Sequence, residues 1–339
     1  MTQKIKIAVI GTGRMGSVHV RNLVNHVPEA DVAAICDLRL DVAQALADEL
    51  GITRVVIDYH ELLADPQIEA VLIATSTDTH AMIIQDAALA GKHILCEKPI
   101  ALDLAQIDSA LDAVAKAGVK LQIGFNRRFD KSFQRVHEIV TSGELGRPCI
   151  LSITNRDPLP PSLEFARVSG GMFLDMSIHD FDMARFQVGD VEEVYAMGKV
   201  LIQPELEELG DVDISIVTLK FKNGAIGVID NSRQCLYGYD QRLEVFCLNG
   251  AARAENETEH TVVKGTATGF ESAKLPYFFI QRYADCYIEE ERQFLRCVRD
   301  NQPTPITGED GRQAVILGFA AWKSFRENRP VKISEITGE

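Results

Sequence analysis

Between Gly170 and Asp182 the chain reads GGMFLDMSIHDFD, which sets carboxylates and an imidazole into a segment otherwise built from Met, Phe, Leu and Ile. Read as one helix, Asp175 and His179 stand four residues apart on a shared face, and Asp182 follows three residues on. That spacing suits a carboxylate orienting an imidazole that acts as a general base near neutral pH. The plainer alternative is a capping aspartate followed by a core histidine.

A second constellation is VIGTGRMGSVH, where Gly11, Gly13 and Gly16 follow an apolar run and open a helical pattern. The first glycine permits a tight turn, the second lets backbone approach a pyrophosphate, and the third allows close helix–strand packing. Thr12, Arg14 and Met15 complete that loop. Asp37 ends the next strand, twenty-one positions after Gly16, where a carboxylate can accept from a ribose diol. It would repel a 2′-phosphate, so NAD is expected over NADP; Arg39 could pair with such a phosphate and keeps NADP open. A third feature is Lys98 in GKHILCEKPIA, at the carboxyl end of a strand, where open α/β sheets bind their ligands. Its plain alternative is a solvated lysine beside a strand-ending Pro99.

The elements that must hold these groups follow from periodicity. From Lys4 to Phe125, apolar runs without polar alternation (KIKIAVIG, DVAAICD, RVVID, AVLIAT, HILCEKP, KLQIGF) alternate with helical patterns. Strands buried on both faces and separated by helices predict a parallel sheet, so this half is α/β. Beyond it come a helix over 129–142 and strands PCILSITNR, EVYAMGKVLI, VDISIVTLKFKNG, AIGVIDNSRQ and RLEVFCLNG, with KNGA as a hairpin turn. Helices over 279–299 and 311–326 close the chain. The expected division is 1–125 and 126–339.

Length and composition bound the class. At 339 residues two domains are the prior, and 46% hydrophobic with 25% charged residues is ordinary for a globular chain. A balance of 35 basic against 49 acidic residues, net charge -14, disfavours nucleic acid and anionic membranes as partners. Seven scattered cysteines without a C-x-x-C pair suggest reduced thiols rather than disulfides or zinc. No metal site is expected. MTQKIKIAVIG runs straight into a strand and no apolar run reaches spanning length, so we expect a cytoplasmic protein without signal peptide or membrane segment.

Together, the glycine loop, ATSTDTHAMIIQDAALAGKHILCEKP, GFNRRFD and GGMFLDMSIHDFD resemble the Gfo/Idh/MocA oxidoreductases over nearly the whole chain. Within that family NSRQCLYGYDQRLEVF, ENETEHTVV and YFFIQRYADCYIEEERQFL are similar to inositol 2-dehydrogenases. The resemblance implies a Rossmann domain, then an α+β domain for substrate binding and oligomerisation, with a large open, mostly antiparallel sheet mediating a homotetramer. It implies a catalytic trio of Lys98, Asp175 and His179, and NAD contacts extending to Thr75, Ser76, His80 and Glu97. Substrate contacts would come from Arg127, Asp157, Asp182 and Tyr239 besides the trio. The implied reaction oxidises a ring secondary alcohol, first of all myo-inositol to its 2-keto compound. A related activity on scyllo-inositol or an aldose, and a catalytically silent NAD-binding regulator, are the alternatives. Asn126, Asp157 and Cys247 (where a glycine is expected in inositol dehydrogenases) mark the places where substrate choice would vary.

Overall fold

The computed structural model describes residues 4–338. The chain divides into two units, one of residues up to Asn126 together with Asp285–Val315, the other of Arg127–Ala284 with Ile316 onward. The return of 285–315 to the first unit departs from a single cut near residue 125. Its cause is apolar packing, since Phe294 and Leu295 are fully buried in the same core cluster as Ile7, Val9, Leu23 and Leu72.

In the first unit, β1 (Ile5–Ile10), β2 (Ala30–Cys36), β3 (Val55–Val56), β4 (Ala70–Ile73), β5 (His93–Glu97) and β6 (Leu121–Gly124) form one sheet in the order β3-β2-β1-β4-β5-β6. Every neighbour pair is parallel. The unbroken burial of β4 and β6 is the pattern that parallel sheets require. The connecting helices stop where the backbone turns left-handed: Gly51 and Gly118 cap Leu40–Leu50 and Leu104–Ala117 with φ of 73° and 67°.

In the second unit, β7 (Pro148–Arg156), β8 (Val191–Lys199), β9 (Ile214–Phe221), β10 (Ile226–Ser232), β11 (Asp240–Cys247), β12 (Gly250–Ala254) and the late β15 (Val331–Lys332) make a seven-stranded sheet, order β12-β11-β7-β10-β9-β8-β15. The β7–β10 pair is parallel and the others antiparallel. Gly224, at φ 88°, closes the β9–β10 hairpin at KNGA. An exposed hairpin of β13 (Val263–Thr266) and β14 (Gly269–Ser272) stands outside that sheet. Alternation along β9 and β11 gives one buried face, packed by helices Lys131–Thr141 and Ile178–Val188. The other face leaves Ile150, Met197, Ile226 and Phe246 exposed.

Three sequence expectations need adjustment. The helix over 279–299 is two helices, Phe279–Arg282 and Ala284–Arg299, and RVVID contributes only Val55–Val56 as strand. The single helix through GGMFLDMSIHDFD is a π-helical turn at Met172–Met176 followed by the α-helix Ile178–Val188. Among the described residues no helix is long and apolar enough to cross a membrane.

Candidate functional site

The glycine loop connects β1 to the helix Arg14–Asn25. Gly11 has φ +94°, and a Cβ there would stand 2.6 Å from the Ala74 carbonyl oxygen. A Cβ on Gly16 would fall 1.9 Å from the Gly11 oxygen, so the loop closes on itself only with glycine at both positions. Around Gly13 a Cβ would meet nothing within 4 Å, which leaves the helix N-terminus open. That helix has no side-chain cap and no acid in its first turn, while Arg14 is exposed there and Met15 is half-buried. Unspent amides and an open approach fit a pyrophosphate.

Asp37 serves this loop twice. Its Oδ2 accepts from Thr12 N at 2.7 Å and Thr12 Oγ1 at 2.8 Å, and its Oδ1 accepts from Arg39 N at 2.8 Å. Burial works against the carboxylate, yet the main-chain donors Arg39 and Thr12 hold it below the usual carboxylate range. An ionised Asp37 with lone-pair capacity left on Oδ1 can receive a ribose hydroxyl and disfavours a phosphate. Arg39 is mostly solvated, with Nε 3.8 Å from Asp37 Oδ1. Asp37→Ala will therefore raise the Kd for NAD by about 10- to 100-fold, as loss of a charged acceptor does. NADP will lose less; equal losses in parallel fluorescence titrations would remove Asp37 as discriminator.

On the neighbouring strands, Thr75 Oγ1 lies 2.7 Å from Thr79 Oγ1, and Ser76 precedes the helix Thr77–Leu89 without capping it. His80 is only 2% exposed, with Nδ1 2.8 Å from the Pro99 oxygen and Nε2 3.2 Å from the Thr75 oxygen. Burial lowers its pKa, so the ring is neutral where it braces the strand ends. Glu97 closes β5 and is bonded to His19, while Lys98 beyond it is half-buried.

In the second unit the π turn begins at Gly171 (φ +73°), where a Cβ would stand 2.7 Å from Asp211 Oδ1 and 2.8 Å from Trp322. Asp211 Oδ1 anchors the turn by accepting from Met172 N at 2.8 Å. Ser177 N donates to Met172 O, five residues back, so i,i+4 arithmetic does not carry across from Asp175 to His179. Asp175 Oδ2 accepts from Arg233 Nη1 at 3.1 Å, and Arg233 is almost wholly buried. His179 sits half-buried on the first turn of the following helix.

Around these lies a polar network. Arg127 Nη1 donates to Asp180 Oδ1 at 2.6 Å and Nη2 to Tyr239 OH at 3.2 Å. Asp180 Oδ2 accepts from Asn155 Nδ2 at 2.7 Å and Asn231 Nδ2 at 2.8 Å. Asn155 in turn accepts from Gln241, whose Oε1 accepts from Tyr283 OH at 3.2 Å. Burial raises the Asp180 carboxyl above its ordinary value, against the pull of Arg127 and both asparagines. Asp157, half-buried at the end of β7, is pushed up to about 6, chiefly by burial; Arg233 opposes the shift and Asp175 adds to it.

The structure thus gathers Arg127, Asp157, Asp175 and Tyr239 within reach of shared partners, and it sets Asp182 apart. Asp182 is 1% exposed and accepts a bidentate pair from Arg128, Nε at 2.9 Å and Nη2 at 2.6 Å. The network residues missed in the sequence are Asp180, Arg233, Asn155, Asn231 and Gln241. A signal existed: Gln241, Asn155, Asn231 and Ser215 are register partners across β11, β7, β10 and β9, each at a parity where its strand buries apolar side chains. Asn126 is buried in the first unit, and Cys247 is a buried thiol on β11.

Two family models match the chain: the oxidoreductase family, NAD-binding Rossmann fold, over residues 5–125, and the GFO/IDH/MocA C-terminal domain over 133–253. The myo-inositol 2-dehydrogenase of Thermotoga maritima is 48% identical over 335 residues, covering 98% of this chain and 100% of that one. A crystal structure of a probable dehydrogenase from Thermotoga maritima superposes with TM-score 0.96 at 47% identity, covering 98% of this chain and 100% of the other. The scyllo-inositol dehydrogenase of Lactobacillus casei, solved with NAD(H) and scyllo-inositol, gives TM-score 0.92 at 28% identity, with 98% and 100% covered.

Proposed function

We propose, from the premise that this chain belongs to the Gfo/Idh/MocA family of NAD-dependent oxidoreductases, that it oxidises a ring secondary alcohol of an inositol, most readily myo-inositol to its 2-keto compound. The observation that carries this reading is the charge-balanced polar network of the second unit. Arg127 is matched by Asp180 and Arg233 by Asp175, and the row Gln241, Asn155, Asn231, Ser215 is neutral. Such a network offers many donors and acceptors and, beyond the Asp157 carboxyl, no unmatched charge, which suits a neutral polyol; each buried polar group left unpaired there would cost about 1–3 kcal/mol.

When bound, NAD supplies the acceptor for the carbinol hydride. His179 takes the hydroxyl proton as general base, and Asp175, steadied by Arg233, supports the imidazolium that results. Lys98 donates to the reacting oxygen and stabilises the charge developing on it. Arg127, Asp157 and Tyr239 are assigned to the substrate's remaining hydroxyls. We further place the enzyme in the cytoplasm, where free thiols stay reduced, and read the exposed apolar face of the seven-stranded sheet as the contact of a homotetramer.

The test is NADH formation, followed by absorbance near pH ~9, with NAD or NADP and a panel of inositols and aldoses. Turnover of myo-inositol with NAD is the expected result. Preference for scyllo-inositol or an aldose would move the substrate within the family. No turnover on any member, beside tight NAD binding, would replace the enzyme by a silent NAD-binding regulator.

A further inference from the structure

The first unit buries more ionisable side chains than a cofactor loop needs. His19, on the helix Arg14–Asn25, is 1% exposed, with Nε2 2.9 Å from Glu97 Oε1 and Nδ1 2.7 Å from Glu291 Oε1. Both neighbours offer carboxylate acceptors, and an imidazolium donating from both nitrogens satisfies them together. Burial opposes that charge, but the hydrogen bonds to Glu291 and Glu97 prevail and hold His19 up at about 10.

The groups facing this cation come from two further elements. From the helix Ala284–Arg299 come Glu290, Glu291 and Tyr287, the last with its ring edge-on to His19 at 5.7 Å. Both Glu290 oxygens are buried without a hydrogen-bond partner, and burial beside Glu97 raises its carboxyl well above the ordinary value. Glu291 is also raised by burial, against bonds from His19 and Asn22. From β5 comes Glu97, which burial would raise but which His19, aided by Lys98, holds low. Of the three carboxyl groups around this cation, the one held low adjoins Lys98.

Glu97 is also fixed in place. Its Oε2 accepts from the main-chain N of Lys98 at 3.2 Å, and Gly124 on β6 lies so close that a Cβ there would stand 3.1 Å from that oxygen. With Oε1 on His19 and Oε2 on the Lys98 amide, both oxygens of the carboxylate are engaged. On the other side of Lys98, His80 holds the Pro99 carbonyl.

We propose that His19 is the positioning residue of the Glu97–Lys98 corner. Bridging Glu97 and Glu291 as an imidazolium, it locks Glu97 in the rotamer that receives the Lys98 amide, and so aims the Lys98 side chain. The inference rests on the role assigned to Lys98 above.

The test compares the full chain with its His19→Gln and Glu97→Gln variants, using NAD and the inositol that the unaltered enzyme turns over, from about pH 6 to about pH 10. His19→Gln should lower kcat about 10- to 100-fold at neutral pH, with KM and the Kd for NAD nearly unchanged. Activity should climb back at alkaline pH, because Glu97 without its cation ionises late. Glu97→Gln should show the same loss without the recovery. A kcat for His19→Gln matching the unaltered enzyme, or a deficit equal at every pH, overturns the proposal. A readout independent of activity is the ¹⁵N NMR signature of the His19 ring in the unaltered protein near pH ~8, well above the ordinary imidazole range. An imidazolium supports the bridge even if no inositol is oxidised, which would count only against the functional reading. A neutral ring overturns the inference whatever the enzyme oxidises.

Discussion

Replacing His179 with alanine will cut kcat by about 10²- to 10⁴-fold, the usual worth of a positioned general base. The Kd for NAD will stay within about threefold, a change under 1 kcal/mol. The separation is built into the chain, because the glycine loop and Asp37 belong to the first unit and His179 to the second. The fold will tolerate the change: Ile178 and Phe181 remain wholly buried, and the start of the helix stays tied to β10 through Ser177 Oγ donating to Asn231 Oδ1 at 2.7 Å. Steady-state NADH production and a fluorescence titration measure the two quantities. A variant that keeps more than about a tenth of the activity would transfer the proton to another acceptor. Asp157, with its carboxyl at about 6, is then the group to substitute next.

Arg127→Met will destabilise the second unit by about 3–5 kcal/mol, the cost of stripping a buried carboxylate of its cation. Asp180 is fully buried, and what remains to it is the pair of amides from Asn155 and Asn231. The deficit will depend on pH in a defined sense. Burial already raises the Asp180 carboxyl in the folded state, and removing Arg127 raises it further. A folded pKa above the unfolded one means that the folded state holds the proton longer, so stability falls as pH rises from the unfolded value toward the folded one. Urea midpoints will thus show the smallest loss near pH ~4 and the largest near pH ~8. Adding Asp180→Asn should restore much of the stability by removing the stranded charge. A loss below about 1 kcal/mol near pH ~8 would mean that water reaches Asp180 once Arg127 is gone.

The residues alone determined the first unit closely. Strands such as AVLI, with no polar member to face water, are stable only inside a parallel sheet covered on both sides. Gly11 and Gly16 were legible because their need for glycine is local, set by a turn and the strand beside it. Asp37 was legible for the same reason, lying one strand away in a pattern of fixed spacing. The hairpin at KNGA and the open, mostly antiparallel sheet were also readable from alternation and turn chemistry.

Tertiary structure decided the rest wherever a residue's meaning depended on a partner far along the chain. Arg127 meets Asp180 across 53 positions and Tyr239 across 112, and no periodicity encodes such pairings. Asp182 receives Arg128 on both its oxygens across 54 positions, a pairing no spacing announces. Asp175 and His179 share a face on an ideal helix, but an i→i−5 bond at Ser177 shows that the backbone between them is not one. The return of 285–315 to the first unit followed from a core that needed Phe294 and Leu295, and it brought Glu291 to His19. Patterning in a sequence reports which faces seek burial; which buried polar group answers which is settled only when the faces meet, because an unpaired charge costs far more than an apolar mismatch.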